Sequence, residues 1–148
     1  MFNELNILKI FFEDPTIEFN VREVARMKKF APATASSYLK SFAKTGLLKE
    51  RKERNLLLYK ANLDDESYRD LKIYYTIRKI KESGLIDELN KFYLKPTIAL
   101  FGSAASGLDT KESDIDLVVI SEKNKEFLER GKFEKKLNRG LHIFVVKE

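Results

Sequence analysis

The stretch that most constrains this chain runs from Thr97 to Ile120. Two apolar runs are separated by Gly102-Ser103 at one end and by Asp114-Ile115-Asp116-Leu117 at the other. An apolar run that breaks on glycine and serine, followed by a second run that opens on two acids, predicts strand, turn, strand. Side chains on a strand alternate faces. An extended 114–120 segment therefore sends Asp114 and Asp116 to one side and Ile115, Leu117 and Val119 to the other. Adjacent carboxylates repel unless a cation lies between them, and hard oxygen donors suit Mg2+ or Mn2+ better than zinc. Gly102 has no side chain to hold a phosphate away, so the amides after the first strand and the Ser103 hydroxyl can approach one closely. The stretch predicts a metal-bound nucleoside triphosphate.

Gly102-Ser103, ten residues, then Asp114-x-Asp116 resembles the signature of the minimal nucleotidyltransferases, small relatives of the DNA polymerase β superfamily. The resemblance covers residues 96 to 148. It implies that Asp114 and Asp116 are catalytic metal ligands and that Gly102 and Ser103 bind the nucleotide. Taken alone, Asp-x-Asp reads as a turn-capping acid and an edge-strand acid; the Gly-Ser pair at the family's spacing is what shifts that reading. Two positions depart from the family. Members place a third carboxylate on the last strand, where this chain has His142, its only histidine. Many also carry an arginine before the loop's second glycine, where this chain has Ser106. Both departures weaken the handling of charge, since imidazole is neutral as a ligand and suits Mg2+ poorly.

Charge is informative once it is located. Residues 1–62 hold twelve Lys and Arg against seven Asp and Glu, whereas residues 63–95 balance seven against seven and residues 96–148 nine against nine. The whole surplus of +5 is N-terminal, as in a module that binds a polyanion. With 43% hydrophobic and 34% charged residues among 148, the composition is that of a folded, soluble chain. The absence of cysteine excludes disulfides and cysteine-bound zinc. No signal peptide or long apolar run is visible, so the cytoplasm is the expected location and no membrane is expected as a partner.

The front of the chain reads as three helices and a hairpin. Leu5, Leu8 and Phe12 form a stripe over 3–13, stopped by Asp14-Pro15. Ile17 to Phe19 suits a short strand. Asn20 with Glu23 three residues later predicts a capped helix start. Pro32 suits the first turn of a third helix and Gly46 the position past its end, with Ala35, Leu39 and Phe42 as the buried stripe. The hairpin is Leu47 to Lys49, a charged tip Glu50 to Asn55, and Leu56 to Lys60. Over residues 1–62 this order resembles a winged helix-turn-helix domain. The resemblance implies double-stranded DNA as a partner, with Ser36, Ser37, Tyr38 and Lys40 reading the groove and Lys49, Arg51, Lys52 and Arg54 touching phosphates. A winged fold used only for protein contacts or dimerisation remains open.

Residues 63–95 read as a helical connector. Tyr68, Leu71 and Tyr75 form one stripe of a 64–82 helix and Ile73, Ile77 and Ile80 a second, which predicts cover on both sides; a second helix follows over 85–94. The last part then runs strand 97–101, loop, strand 115–120, helix 124–138 and strand 141–146. The expected fold is α+β (α/β): a winged helix-turn-helix, a helical connector and a nucleotidyltransferase-like mixed sheet with flanking helices. The leading function is Mg2+-dependent transfer of a nucleoside monophosphate from a triphosphate to a hydroxyl, directed or regulated by DNA binding. The alternative is a catalytically impaired transcriptional regulator, or an antitoxin-like subunit working with a separate helical partner protein, that keeps the fold to bind nucleotide or protein. Palindromic DNA would call for a homodimer.

Overall fold

The N-terminal half is fixed largely by local signals. Helix α1 (Asn3–Glu13) buries Ile7, Leu8, Ile10, Phe11 and Phe12 and stops before Pro15. A two-residue strand, β1 (Phe19–Asn20), leads directly into α2 (Val21–Lys28). There the Asn20 side chain accepts from the Glu23 N–H at 2.9 Å and the Glu23 carboxylate accepts from the Asn20 N–H at 3.0 Å. This reciprocal pair satisfies two amide donors that a helix start otherwise leaves bare. Helix α3 (Pro32–Lys44) begins on proline and buries Ala35, Leu39 and Phe42. The hairpin β2 (Leu48–Glu53) and β3 (Leu56–Ala61) follows, with Arg54 in the left-handed region at φ 55° in the turn.

Strand β3 is central in an antiparallel sheet of order β1-β3-β2, with Phe19 opposite Tyr59 and Leu48 opposite Ala61. The expected 17–19 strand lies slightly later, because its pairing with β3 begins only at Phe19. Phe11 meets Phe19 edge to face at 5.7 Å, and the buried Tyr68 hydroxyl donates to the Phe11 carbonyl at 2.8 Å. Tyr59 is fully buried and donates to Glu50 at 2.7 Å; burial, helped by that carboxylate, pushes its hydroxyl pKa well up.

The structure is a computed structural model that describes residues 3–147. It divides into two units, Met1–Arg69 and Asp70–Glu148. The residues expected as a connector thus fall on both sides of the division. Helix α4 (Glu66–Glu82) runs from the first unit into the second, and α5 (Leu85–Phe92) follows it. The most buried line on α4 is Tyr68, Lys72, Thr76 and Ile80, one residue per turn. The apolar residues expected to form two covered stripes, Leu71, Ile73, Tyr75 and Ile77, are only partly buried. Lys72 occupies the buried line because it has an ionic partner inside the second unit.

In that unit β4 (Thr97–Phe101) pairs antiparallel with β5 (Ile115–Ile120), which pairs in parallel with β6 (Leu141–Val146). Between β4 and β5 the expected loop contains a single short helix, α6 (Gly102–Ser106). Ile115, Leu117, Val119 and Leu141 face a core built with Ile80, Leu85, Leu89, Tyr93, Phe127, Phe133 and Leu137. The parallel step requires a crossover, and it contains α7 (Arg130–Leu137). The helix expected over 124–138 is therefore shorter. Residues 121–129 are irregular because Phe127 is buried against Phe92 and Phe133, and the Lys125 carbonyl accepts from the Tyr93 hydroxyl instead of from a helical amide.

The Asn20 cap gives a direct stability test. Asn20→Ala is expected to cost about 1 kcal/mol, read as a lower urea midpoint at unchanged slope; an unchanged midpoint would show that water replaces the cap without cost.

Candidate active site

Parallel pairing of β5 and β6 sets Asp116 directly opposite His142. Strand alternation then decides which side chains share a face. Ile115, Leu117 and Val119 turn into the core, so Asp116 turns to the open face and Asp114, just before the strand, turns the same way. His142 Nδ1 lies 3.0 Å from Asp116 Oδ1, and its Nε2 lies 3.3 Å from Asp114 Oδ2. The imidazole thus bridges the two carboxylates. Asp114 and His142 are about half exposed, while the Asp116 side chain is 24% exposed. The site is open to solvent and needs no channel.

Two glycines make room for the acids. Gly102, with φ 72°, stands where a Cβ would overlap Asp116 Oδ2, so the Gly-Ser turn and the second acid are in direct contact. At Gly140 a Cβ would overlap Asp114 Oδ1 and lie 3.0 Å from its Cγ. Ser103 is exposed, and its carbonyl accepts from the Gly107 and Leu108 amides and from the Ser106 hydroxyl at 2.9 Å. Ser106, at the position where many relatives of the resembled family have arginine, is thus absorbed in closing the turn. Phe101 and Phe144, with ring centroids 5.4 Å apart, line the same open face beside Asp116 and His142.

Each candidate metal ligand can be weighed by donor chemistry. Asp114 and Asp116 supply hard oxygens on one face, which suits a cation that keeps its other positions for phosphate and water. His142 adds a softer nitrogen in the third place. Among the described residues no group of three or more His, Cys, Asp or Glu side chains is arranged to hold a metal ion. Asp114, Asp116 and His142 thus form no closed cage for a metal ion.

Behind the site lies a cluster that sequence reasoning missed. Asp109 and Lys72 are almost wholly buried, at 1% and 2% exposure. Lys72 Nζ donates to the Asp109 main-chain carbonyl and lies 3.7 Å from Oδ1, while Arg139 Nη1 lies 2.8 Å from Oδ2. Burial pushes the Lys72 pKa down; Asp109 partly offsets this and Arg139 adds to it. No sequence signal marks these residues, since a loop aspartate and a helix lysine are most often solvated.

The residues expected at a DNA interface lie in the first unit. Ser37, Lys40, Lys49, Arg51, Lys52 and Arg54 are exposed and Ser36 is half-buried. Tyr38 is also half-buried, its ring 6.2 Å from Phe30 and 6.4 Å from Phe42. Arg51 is held by Glu18 through two bonds of 2.7 and 2.9 Å and by Glu53 at 3.0 Å. That bond lowers the Glu18 pKa and raises that of Arg51. Lys49 lies 3.5 Å from Asp64, while Lys52 and Arg54 have no ion pair among the described residues.

Comparison with known proteins bears on the second half. Residues 82–148 match the family model of the nucleotidyltransferase domain. The nucleotidyltransferase match begins earlier than residue 96, taking in α5, and spans a little under half of the chain. It supports nucleotidyl transfer as the family-level function of this half. No curated protein and no solved structure matches the chain. Among the described residues no helix is long and apolar enough to cross a membrane.

Gly102→Ala tests the contact between turn and acid. A left-handed residue and an overlapping carboxylate predict a loss of about 1–2 kcal/mol from the backbone alone, seen as a lower thermal midpoint; wild-type stability would mean that the turn is not held at this φ.

Proposed function

We propose that this protein transfers a nucleoside monophosphate from a nucleoside triphosphate to a hydroxyl acceptor, using Mg2+ or Mn2+, and that its basic N-terminal unit binds double-stranded DNA. The observation that carries the first part is the convergence of Asp114, Asp116 and Gly102 on one open face, within the segment similar to nucleotidyltransferase domains. Gly102 lets the triphosphate approach the main chain and Ser103 offers its hydroxyl. Asp114 and Asp116 would hold the divalent cation, which when bound neutralises phosphate charge and lowers the pKa of an attacking hydroxyl. The hydroxyl oxygen forms a bond to the α-phosphorus, the bond to the bridging oxygen of the β-phosphate breaks, pyrophosphate leaves, and the hydroxyl proton passes to water. The open face leaves the acceptor free to be large.

A second reading has its own observation. His142 sets one ring nitrogen against each carboxylate, at the position where the resembled family has an acid. This favours a protein that binds nucleotide as a regulator or an antitoxin-like subunit and transfers slowly or not at all.

The DNA part rests on the N-terminal charge surplus, the exposed Ser37 and Lys40 face of α3, and Lys52 and Arg54 near the hairpin tip, which have no ion pair among the described residues. Arg51 contributes less, because Glu18 and Glu53 already hold it.

Three measurements separate these readings. Asp114→Asn or Asp116→Asn is expected to reduce transfer of labelled nucleotide on the order of a hundredfold or more; activity equal to the parent sinks the transferase reading. His142→Asp should raise Mg2+-supported transfer if the missing acid limits the rate, and leave it at background if the site only binds. Affinity for duplex DNA should fall steeply with salt, and replacing Lys52 and Arg54 by alanine should reduce the salt slope by about 2; a flat salt response rules out the DNA part.

A further inference from the structure

The second unit encloses two cations against one anion, which is more positive charge than a buried pair needs. Replacing a buried ion cluster by apolar groups is often neutral or stabilising, so such a cluster is weak evidence of stability alone. Its hydrogen bonding is also incomplete. Both Asp109 carboxylate oxygens and Arg139 Nη2 are buried without a hydrogen bond among the described residues, although Arg139 Nη1 lies 2.8 Å from Asp109 Oδ2. At that distance the attraction is ionic while the angle falls short of a bond.

What Arg139 does besides neutralising Asp109 is the informative part. Its Nε donates at 2.8 Å to the Ser113 carbonyl, the last acceptor before Asp114. The next residue, Gly140, accepts at 2.8 Å from the Ile115 amide just after Asp114 and leaves the space its carboxylate fills. Two residues further along the chain stands His142. Through Ser113, one guanidinium therefore grips the segment that leads into Asp114, and it does so from the start of the strand that carries His142. Asp109 holds the other edge of that guanidinium and anchors the segment at its far end.

We propose that Arg139, anchored on Asp109, is a positioning residue that sets the separation of Asp114 from His142. The inference rests on the reading of Asp114 and Asp116 as the nucleotide-metal site. Lysine is no substitute for it, because only the planar fork reaches Asp109 and the Ser113 carbonyl at once. Lys72 adds charge at the other carboxylate oxygen of Asp109 but has no hydrogen bond or ion pair to the 110–114 segment among the described residues.

The chain's one histidine supplies a reporter that needs no ligand, because its imidazole Cε1–H gives a single NMR resonance. At fixed pH, Arg139→Lys should shift that resonance in the direction taken by Asp114→Asn. It should also weaken binding of Mn2+·ATP by about tenfold or more. Lys72→Met should leave both at the parent's values. Arg139→Gln, which keeps a donor for the Ser113 carbonyl, serves if the lysine variant fails to fold, and should give a smaller shift in the same direction. The proposal is overturned if the folded Arg139 variant keeps the parent's resonance, or if Lys72→Met moves it as far. A parent that binds no Mn2+·ATP, together with a resonance that still moves in Arg139→Lys, overturns the nucleotide-metal reading and upholds the positioning role.

Discussion

The parallel pairing of β5 with β6 is the constraint on which the second unit depends. A slip of one residue would turn every side chain of β6 to the opposite face. His142 would then point into the core and Leu141 into solvent. Gly140 holds the alignment at one end, since only glycine fits against Asp114, and the bond from the Ile115 amide to its carbonyl fixes the step. The alternation that buries Ile115, Leu117 and Val119 does the same along the strand. The geometry of the candidate site is thus a by-product of core formation: the residues that stabilise the sheet also decide where the acids point.

Electrostatics divides the protein differently from its sheets. In the first unit the charged groups are exposed and traded in pairs, with Arg51 shared by Glu18 and Glu53. Exposed pairs of this kind contribute little to stability, and their effect is to decide which cations remain available to a partner. In the second unit the decisive charges are buried. Asp109 is enclosed against Arg139 and Lys72, so loop, helix and strand start meet in one ionic cluster beneath the open site.

Much of the fold was legible because its signals are local. Asn20 with Glu23, Pro32 at a helix start and the charged hairpin tip each state their structure within a few residues. The placement of Asp114 and Asp116 on one face followed from strand alternation, and the position of His142 opposite them followed from aligning the last strand. What stayed hidden depends on partners distant in sequence. Lys72 looks solvated until an aspartate thirty-seven residues away is seen to meet it. Residues 124–129 carry helix-forming side chains, yet Phe127 is drawn into the core and Tyr93 takes the Lys125 carbonyl, so the helix starts late. Arg139 carries no local mark of its burial for the same reason.

The aromatic pair on the open face has a thermodynamic consequence. Phe101 and Phe144 leave 39% and 51% of their surface in water beside Asp116 and His142. A molecule that reaches Asp116 across this face must strip water from them as well as meet a charge. Association there would release ordered solvent and carry a negative heat-capacity change, the mark of apolar burial, even for a ligand as polar as a triphosphate.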